Sequence, residues 1–273
     1  MKILKFALIL SGVFLILKTN AQESPKNSDG AYASKFKVSV GAGTANYYGD
    51  LMKKSGFSQS SFSFSGGLSY AISGNLAARL DVGIQKLRGS DRNRGGAHKH
   101  RNLNFKSTVF DFALAGEYTI LNLKRFPVSP YVSAGVGVLF FNPYTHDEFG
   151  NRQSLAPLGT EGQGLSGYPD FYNTAALEFP IGVGVKHQIN ENIILALEFN
   201  YRITRTDYLD DVSSNRYPDK ALLDARDTRT AQFTWRGNDV GQGAYPKGST
   251  LPRGNPNNND GFFTTQLKLT FSL

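Results

Sequence analysis

The sequence contains no cysteine, which excludes disulfide bonds and thiolate metal sites. Beyond residue 17 it has no apolar run near the roughly 20 residues that a membrane-spanning helix requires. It also has no long segment with the apolar periodicity of an amphipathic helix. Its formal net charge of +8 is small for 273 residues, so the basic excess does not indicate nucleic-acid binding. These absences leave a chain built mainly from strands.

The first 21 residues have the pattern of a secretory signal peptide. Two lysines precede an apolar run over residues 6–17, and a small residue stands before the expected cleavage site. The polar residues 22–34 have no periodicity and predict a flexible periplasmic lead-in. We therefore expect an exported protein whose folded domain spans residues 35–273.

Residues 193–203, with the sequence IILALEFNYRI, divide by parity into two chemically different rows. One row is wholly apolar, and the other carries Glu198, Asn200 and Arg202. A strand points successive side chains to opposite faces, and a tilted strand of roughly 10 residues crosses a bilayer. An apolar outer face with charges inside suits a membrane barrel, because a Lys or Arg facing the lipid midplane costs roughly 2–4 kcal/mol.

The same alternation recurs along the chain, which contains 29 glycines, 20 phenylalanines and 13 tyrosines. We predict an all-β fold, namely a closed antiparallel transmembrane β-barrel of eight strands with long extracellular loops. Residues 230–236 alternate weakly, which predicts either a hairpin arm above the membrane or a barrel of ten strands. Pro180 has no amide donor for the ladder, so we expect a bulge there. The predicted strands are residues 35–42, 61–70, 76–85, 105–118, 131–141, 175–185, 193–203 and 261–273.

Short and long connections alternate between these segments, and the longest covers residues 204–260. Short periplasmic turns and long outer loops are typical of an outer-membrane barrel, and an even strand number places both termini in the periplasm. A soluble β-sandwich also has alternating strands, but it explains neither the signal peptide nor the unequal loops. The predicted location is the outer membrane.

The inner rows of the predicted strands carry as many acidic as basic side chains. An eight-stranded interior is just wide enough for side chains to fill it, and an unpaired charge there would be costly. The balance predicts a sealed, non-conducting core of paired charges, with an ion-selective pore as the alternative. The set comprises Lys37, Arg79, Lys186, Arg202 and Lys268 with Asp81, Asp111, Glu117, Glu178 and Glu198.

Six segments are specific enough to resemble a known family, the DUF6089 (PorG-like) outer-membrane barrels of Bacteroidota. They are YGDL at residues 48–51, PYVSAGVGVLFFNP at 130–143, LAPLGTEGQGL at 155–165, FPIGVGVKH at 179–187, YRITRTDYLDDVS at 201–213 and GNPNNNDGFF at 254–263. The resemblance covers nearly all of the chain after the signal peptide. It implies a scaffolding barrel in an envelope assembly, namely type IX secretion, with periplasmic lipoproteins of the secretion ring as partners.

Acidic side chains cluster after the seventh predicted strand, and a further acid lies in the preceding long loop. The candidate cation ligands are Glu161, Asp207, Asp210 and Asp211. Hard oxygen ligands of this kind suit Ca²⁺. The spacing lacks the pattern of an EF-hand loop, however, and short acidic side chains also cap turns through their own backbone. A structural Ca²⁺ and a set of turn caps are both compatible with the sequence.

The same two loops are rich in apolar residues for solvated segments. Strands six and seven are joined by a short turn, so these loops leave the barrel on neighbouring strands. We therefore expect LGTEGQGL at residues 158–165 to pack against TDYLDDVS at residues 206–213 as an ordered cap that buries Tyr208 and Leu209.

The second long loop is strongly basic. Its candidate ligands for the phosphates of lipopolysaccharide are Arg88, Arg92, Arg94, Lys99 and Arg101. Arg and Lys bind phosphate well, and lipopolysaccharide phosphates lie at the level of this loop. A solvated basic loop is the alternative interpretation.

A lipid-modifying enzyme, such as a lipid A acyl hydrolase, is the alternative to a scaffold. It would need a Ser, a His and an acid within reach of one another. The four histidines at positions 98, 100, 146 and 187 have no spacing that recruits a serine. We therefore expect no catalytic residues.

Overall fold

The computed structural model describes residues 35–52, 59–93, 100–241, 244–246 and 252–273. The predicted signal peptide and lead-in lie outside the described residues, and so do Arg94, His98 and Lys99. Among the described helices, none has the length and apolar character needed to span a membrane.

The described residues form ten β-strands, eight long and two short. Their bounds are β1 (Phe36–Tyr48), β2 (Ser61–Ala71), β3 (Leu76–Ser90), β4 (Asn104–Thr119), β5 (Val128–Phe140), β6 (Tyr144–His146), β7 (Arg152–Ser154), β8 (Ala175–Gln188), β9 (Ile193–Thr204) and β10 (Gly261–Ser272). The eight long strands close into an antiparallel barrel, because each pairs with two long neighbours and β1 pairs with β10. The predicted fold is confirmed.

Side chains alternate between the two faces of the barrel wall. On β4, Leu114 is 64% exposed, whereas the adjacent Ala113 is 5% exposed. On β9, Leu197 and Phe199 are exposed and Glu198 between them is buried. The outward apolar row and the inward polar row are therefore those expected from sequence parity.

Pro180 does not cause the bulge that we expected. On one side of β8, Ala134 faces Ile181 and Gly137 faces Glu178, so the register with β5 is the same before and after the proline. On the other side, Pro180 faces Arg202 in an unbroken ladder with β9. The expectation is wrong, because the missing amide interrupts the ladder with β5 without shifting its register.

Two further elements differ from the predictions. Residues 230–236 were expected to be a hairpin arm or a barrel strand, but they belong mostly to a helix. The long connection before β10 contains α1 (Lys220–Arg226) and α2 (Thr228–Thr234). The two extra strands, β6 and β7, instead form a hairpin beside β4. Lys106 faces Tyr144 in the same register as Phe110 faces Phe140, so β6 continues the barrel wall beyond β5.

The apolar core lies at the end of the barrel that carries the long connections, here called the long-loop end. Several strands run past their predicted limits there; β1 extends to Tyr48 and β3 to Ser90. The inward side chains of these extensions pack against loop residues. The buried cluster includes Tyr47, Leu51, Leu87, Phe105, Leu139, Leu209, Val212, Phe233 and Phe262. The long-loop end is therefore closed by a packed cap.

Candidate functional site: the charged lumen and the cap

Arg79 lies at the centre of the lumen and contacts three carboxylates. Its Nη1 is 3.0 Å from Glu117 Oε2 and 2.8 Å from Glu198 Oε2, and its Nη2 is 2.9 Å from Asp81 Oδ2. These groups project from β3, β4 and β9. A single guanidinium therefore connects strands from opposite parts of the barrel wall.

Two lysines and a tyrosine complete this cluster. Lys268 Nζ is 3.1 Å from Glu198 Oε1, and Lys186 forms an ion pair with Glu117. The Tyr131 hydroxyl donates to Glu198 Oε2 at 2.8 Å. Glu198 thus contacts two cations and a hydroxyl, which offsets the cost of its burial.

A second cluster lies nearer the cap, around Arg202. Its Nε is 3.5 Å from Asp111 Oδ2 and 3.7 Å from Glu178 Oε2, and its Nη1 donates to Thr264 Oγ1 at 3.1 Å. Of the charges predicted for the lumen, all except Lys37 form ion pairs among the described residues. The interior at the level of Arg79 and Arg202 retains a cavity of about 10 Å³, roughly the space for one water molecule.

The two long loops that we expected to pack together are in contact. Glu161 Oε1 accepts hydrogen bonds from the backbone N–H groups of Ser213 and Ser214, each at 2.9 Å. Tyr172 stacks on Tyr208 with ring centroids 4.3 Å apart. Leu209 is fully buried, and Tyr208 is partly buried. The hydrogen bonds to Glu161 and the stacked rings join the two loops.

The cation predicted between these loops is replaced by Arg253. Its Nη1 forms an ion pair with Glu161 and donates to the Asp211 carbonyl at 2.8 Å. Its Nη2 donates to Thr160 Oγ1 at 2.9 Å and lies 3.6 Å from Asp211 Oδ2. The Arg253 side chain is 1% exposed. Sequence reasoning missed this residue, because its segment has no periodicity.

Glu161, Asp207, Asp210 and Asp211 do not form the predicted calcium site. In the part of the chain that the structure describes, no group of three or more acidic or histidine side chains could hold a metal ion. The positive charge of Arg253 occupies the position between Glu161 and Asp211, and Asp210 belongs to a different cluster. The prediction was wrong because an arginine from a distant segment already provides the countercharge.

Asp210 and Asp260 share a tyrosine at the base of the cap. The Tyr47 hydroxyl oxygen is 2.6 Å from Asp210 Oδ2 and 2.7 Å from Asp260 Oδ1. Tyr47 has one proton to donate, so the second contact is a hydrogen bond only if that aspartate is protonated. Burial, together with repulsion from neighbouring carboxylates, raises the pKa of both aspartates well above the ordinary value.

Asp207 lies beside these groups, and its pKa is also raised. Burial raises its pKa to about 8, with Asp50 and Glu161 adding repulsion and the Ser213 hydroxyl acting in the opposite direction. Burial likewise raises the pKa of Asp211 to about 6, although Arg253 opposes this shift. The base of the cap therefore contains carboxyl groups that titrate near neutral pH.

The predicted basic loop is not a single surface. Arg101 is buried and pairs with Asp91, its Nε lying 2.6 Å from Asp91 Oδ2, so it is not accessible to lipopolysaccharide. Its inclusion was wrong, because the acid ten residues earlier folds back against it. Arg88 and Arg92 are exposed, and Arg88 donates to the carbonyls of residues 59 and 60.

Two of the described histidines contact groups other than serine. His187 Nδ1 is 3.2 Å from the Pro127 carbonyl oxygen, and His146 packs edge-on against Tyr144.

Comparison with known proteins identifies one matching family and several structures of low similarity. The outer membrane protein beta-barrel domain family matches residues 10–234. No match was found among curated proteins. The fold is similar to Neisserial surface protein A (12% identity, 88% of this chain and 98% of that chain, TM-score 0.44). It is also similar to a major outer membrane protein from Thermus thermophilus (15% identity, 87% and 99%, TM-score 0.44). Likeness at this level says nothing about function.

Proposed function

Because the chain belongs to the outer membrane protein beta-barrel domain family, it is an integral outer-membrane barrel, and we propose that it acts there as a non-conducting scaffold. The observation that carries this proposal is the filled lumen. Arg79, Lys268 and Lys186 bind the inner carboxylates at the centre, and the cap closes the long-loop end. An ion would have to displace buried salt bridges in order to pass.

We also propose the orientation of the barrel, with the long-loop end outside the cell and the termini in the periplasm. Both ends of the barrel domain lie together, because the Leu273 N–H donates to the Phe36 carbonyl at 3.1 Å. The short connection after β2 is at the same end, since Phe36 faces Tyr70. Short turns on the periplasmic side are the rule for such barrels.

The assembly that we assign to this scaffold is type IX secretion, with periplasmic lipoproteins as partners. The assignment draws on the resemblance of residues 155–165 and 201–213 to the DUF6089 family. A lipid acyl hydrolase finds no support in the contacts of His146 and His187. We therefore propose no catalytic role.

Conductance is the direct test of the filled lumen. Purified protein in planar bilayers should give no reproducible single-channel steps, because the cavity between Arg79 and Arg202 has space for about one water molecule and is lined by paired charges. A porin reconstituted in parallel shows that channels would be detected. Regular conductance steps from the pure protein would contradict the proposal.

Co-purification tests the scaffold role. A tag at the exposed Gly150, in the turn between β6 and β7, leaves the other end of the barrel free. Extraction in mild detergent should recover periplasmic lipoproteins with the barrel. Replacing Lys124 and Arg125 by Glu alters the short-turn end and should reduce recovery, whereas replacing Arg216 and Arg229 by Glu alters the cap and should not. A homogeneous protein without partners that deacylates lipid A would favour the enzyme instead.

A further inference from the structure

The outward row of the barrel wall changes from apolar to basic at the long-loop end. On β3, Ile84 is followed in this row by Lys86 and Arg88, and on β4 the row holds Phe110, Thr108 and Lys106. Lys86, Arg88 and Lys106 are all exposed. Together with the exposed Arg152 of β7 they are called the basic ladder.

The strand register brings the basic ladder together on adjacent strands. Arg88 lies directly opposite Lys106, and Lys86 lies opposite Thr108 one step away. On its other side, Lys106 faces Tyr144 of β6. The Arg152 guanidinium lies over the Tyr144 ring, 3.8 Å from its centroid. The four cations, together with Tyr144, therefore form one continuous surface across β3, β4, β6 and β7.

No carboxylate neutralises this surface within the described part of the chain, where none of the four cations forms an ion pair. Arg88 donates to the carbonyls of Gln59 and Ser60 and retains further N–H donors. Like charges directly opposite each other on neighbouring strands are destabilising. Repulsion between Arg88 and Lys106 therefore destabilises this strand pair, and a bound anion would reduce the repulsion.

The height of the basic ladder on the barrel indicates which anion this is. Ile84, Phe110 and Phe140 are exposed and lie side by side in register at the top of the apolar band. Lys86 is two residues above Ile84, or about 7 Å along the strand. At that height the surrounding lipid presents its headgroups, and long basic side chains reach toward phosphate from the edge of the hydrocarbon.

We propose that the basic ladder binds the phosphate groups of lipid A, the phosphorylated glycolipid of the outer leaflet. Arg88 and Lys106 contact the phosphate directly, and Tyr144 holds Arg152 in place by a cation–π contact. The site lies on strands, whereas the sequence pointed to a loop. It rests on the proposed function only through the orientation that places the long-loop end in the outer leaflet.

Binding of lipid A in detergent micelles tests the proposal. Native mass spectrometry of the purified protein should show retention of bis-phosphorylated lipid A, with lipid A stripped of both phosphates as the comparison ligand. The test protein is a double variant that carries both Arg88→Gln and Lys106→Gln. The matched control is Lys124→Gln with Arg125→Gln, which removes one lysine and one arginine from the exposed short-turn end. A gel shift between unheated and heated samples verifies that each protein is folded.

The expected loss for the double variant is roughly tenfold or more in affinity, because a charge-assisted hydrogen bond contributes about that factor. The control should bind like the wild type, and high salt should weaken binding. Equal affinity for dephosphorylated lipid A, or unchanged binding by the double variant, would overturn the proposal. Displacement of the lipid by millimolar inorganic phosphate would identify a free-phosphate site instead.

These measurements use pure protein in micelles. They remain valid whether or not the barrel anchors a secretion assembly and whichever end faces outward. Failure of the scaffold and failure of the lipid site are therefore separate results.

Discussion

Arg253 shows how much a single residue can determine in the cap. Its guanidinium contacts Glu161, Thr160 and Asp211, and these partners belong to two different loops. Breaking a buried ion pair by removing one partner leaves a charge without compensation. The stability of the cap should therefore depend on Arg253 more than on any exposed arginine or lysine.

We expect Arg253→Ala to destabilise the cap by about 3–5 kcal/mol. The chain has one tryptophan, Trp235, which is buried in the cap and packs against Tyr217. Its fluorescence during thermal unfolding in detergent reports opening of the cap. Arg229→Ala is the matched control, because that arginine pairs with Asp227 in solvent, and its loss should leave the transition unchanged. Identical transitions for Arg253→Ala and wild type would contradict this prediction.

The acids at the base of the cap predict a pH dependence. Burial raises the pKa of Asp207 to about 8 and that of Asp211 to about 6, whereas an unfolded aspartate titrates near pH 4. Ionisation is then easier in the open cap than in the closed one. The stability that these two groups contribute is therefore fully present below about pH 4 and decreases as the pH rises from there to about 8.

The Trp235 transition, followed in detergent between pH 4 and pH 9, measures this dependence. Asp207→Asn removes the group with the higher pKa of the two, so its curve should flatten between about pH 6 and 8. The partly exposed Asp224, which pairs with Lys220 on α1, provides the control: Asp224→Asn should follow the wild-type curve. A wild-type cap that becomes more stable from pH 5 to pH 8 would show that the sign is wrong.

At the scale of elements, the inner face of β9 holds the barrel wall together. Glu198 joins the Arg79 cluster, and Arg202 on the same face approaches Asp111 and Glu178. Sequence parity was sufficient to place these side chains inside, because lipid on the other face enforces a strict period of two. The partners across the lumen depend on register, which parity alone does not give.

Arg202→Ala should lower the stability of the barrel by about 3–5 kcal/mol, because Asp111 and Glu178 lose their shared countercharge. The temperature at which the unheated gel band disappears measures this loss. Arg205→Ala is the control. Arg205 lies just beyond the same strand, and its side chain is exposed on the outer face near Phe179. The unheated band of this variant should therefore persist to the wild-type temperature. Equal melting of both variants would argue against a structural role for Arg202.

Element boundaries were harder to predict above the apolar band. There, the outward row of β3 is basic (Lys86 and Arg88) and the inward Leu87 is apolar, so the apolar-out, polar-in pattern that marks a strand in lipid is reversed. The helix α2 was mistaken for a strand because its buried residues, Thr230, Ala231, Phe233 and Thr234, fall on one helical face within a very short segment. Three or four buried positions do not distinguish the two periods.

At the scale of the whole molecule, the barrel and its location followed from composition, parity and loop lengths. The contact between the two long loops was also foreseen from their apolar residues. Arg253 was not, because the ion pair with Glu161 spans 92 positions in sequence. Of the basic ladder, only Arg88 was predicted, since its members lie on three strands and only the register aligns them.

The barrel is closed by the pairing of its first and last strands, in which Lys37 faces Ser272 and Tyr48 faces Gly261. Contacts between such distant parts of a chain form slowly, because a long loop must be closed before they contribute any free energy. Until β10 is in place, β1 and β9 are open edges, and each unsatisfied backbone group in lipid costs several kcal/mol. We therefore expect stable insertion to require β10, because a chain without this strand would leave the edges of β1 and β9 unpaired in the bilayer.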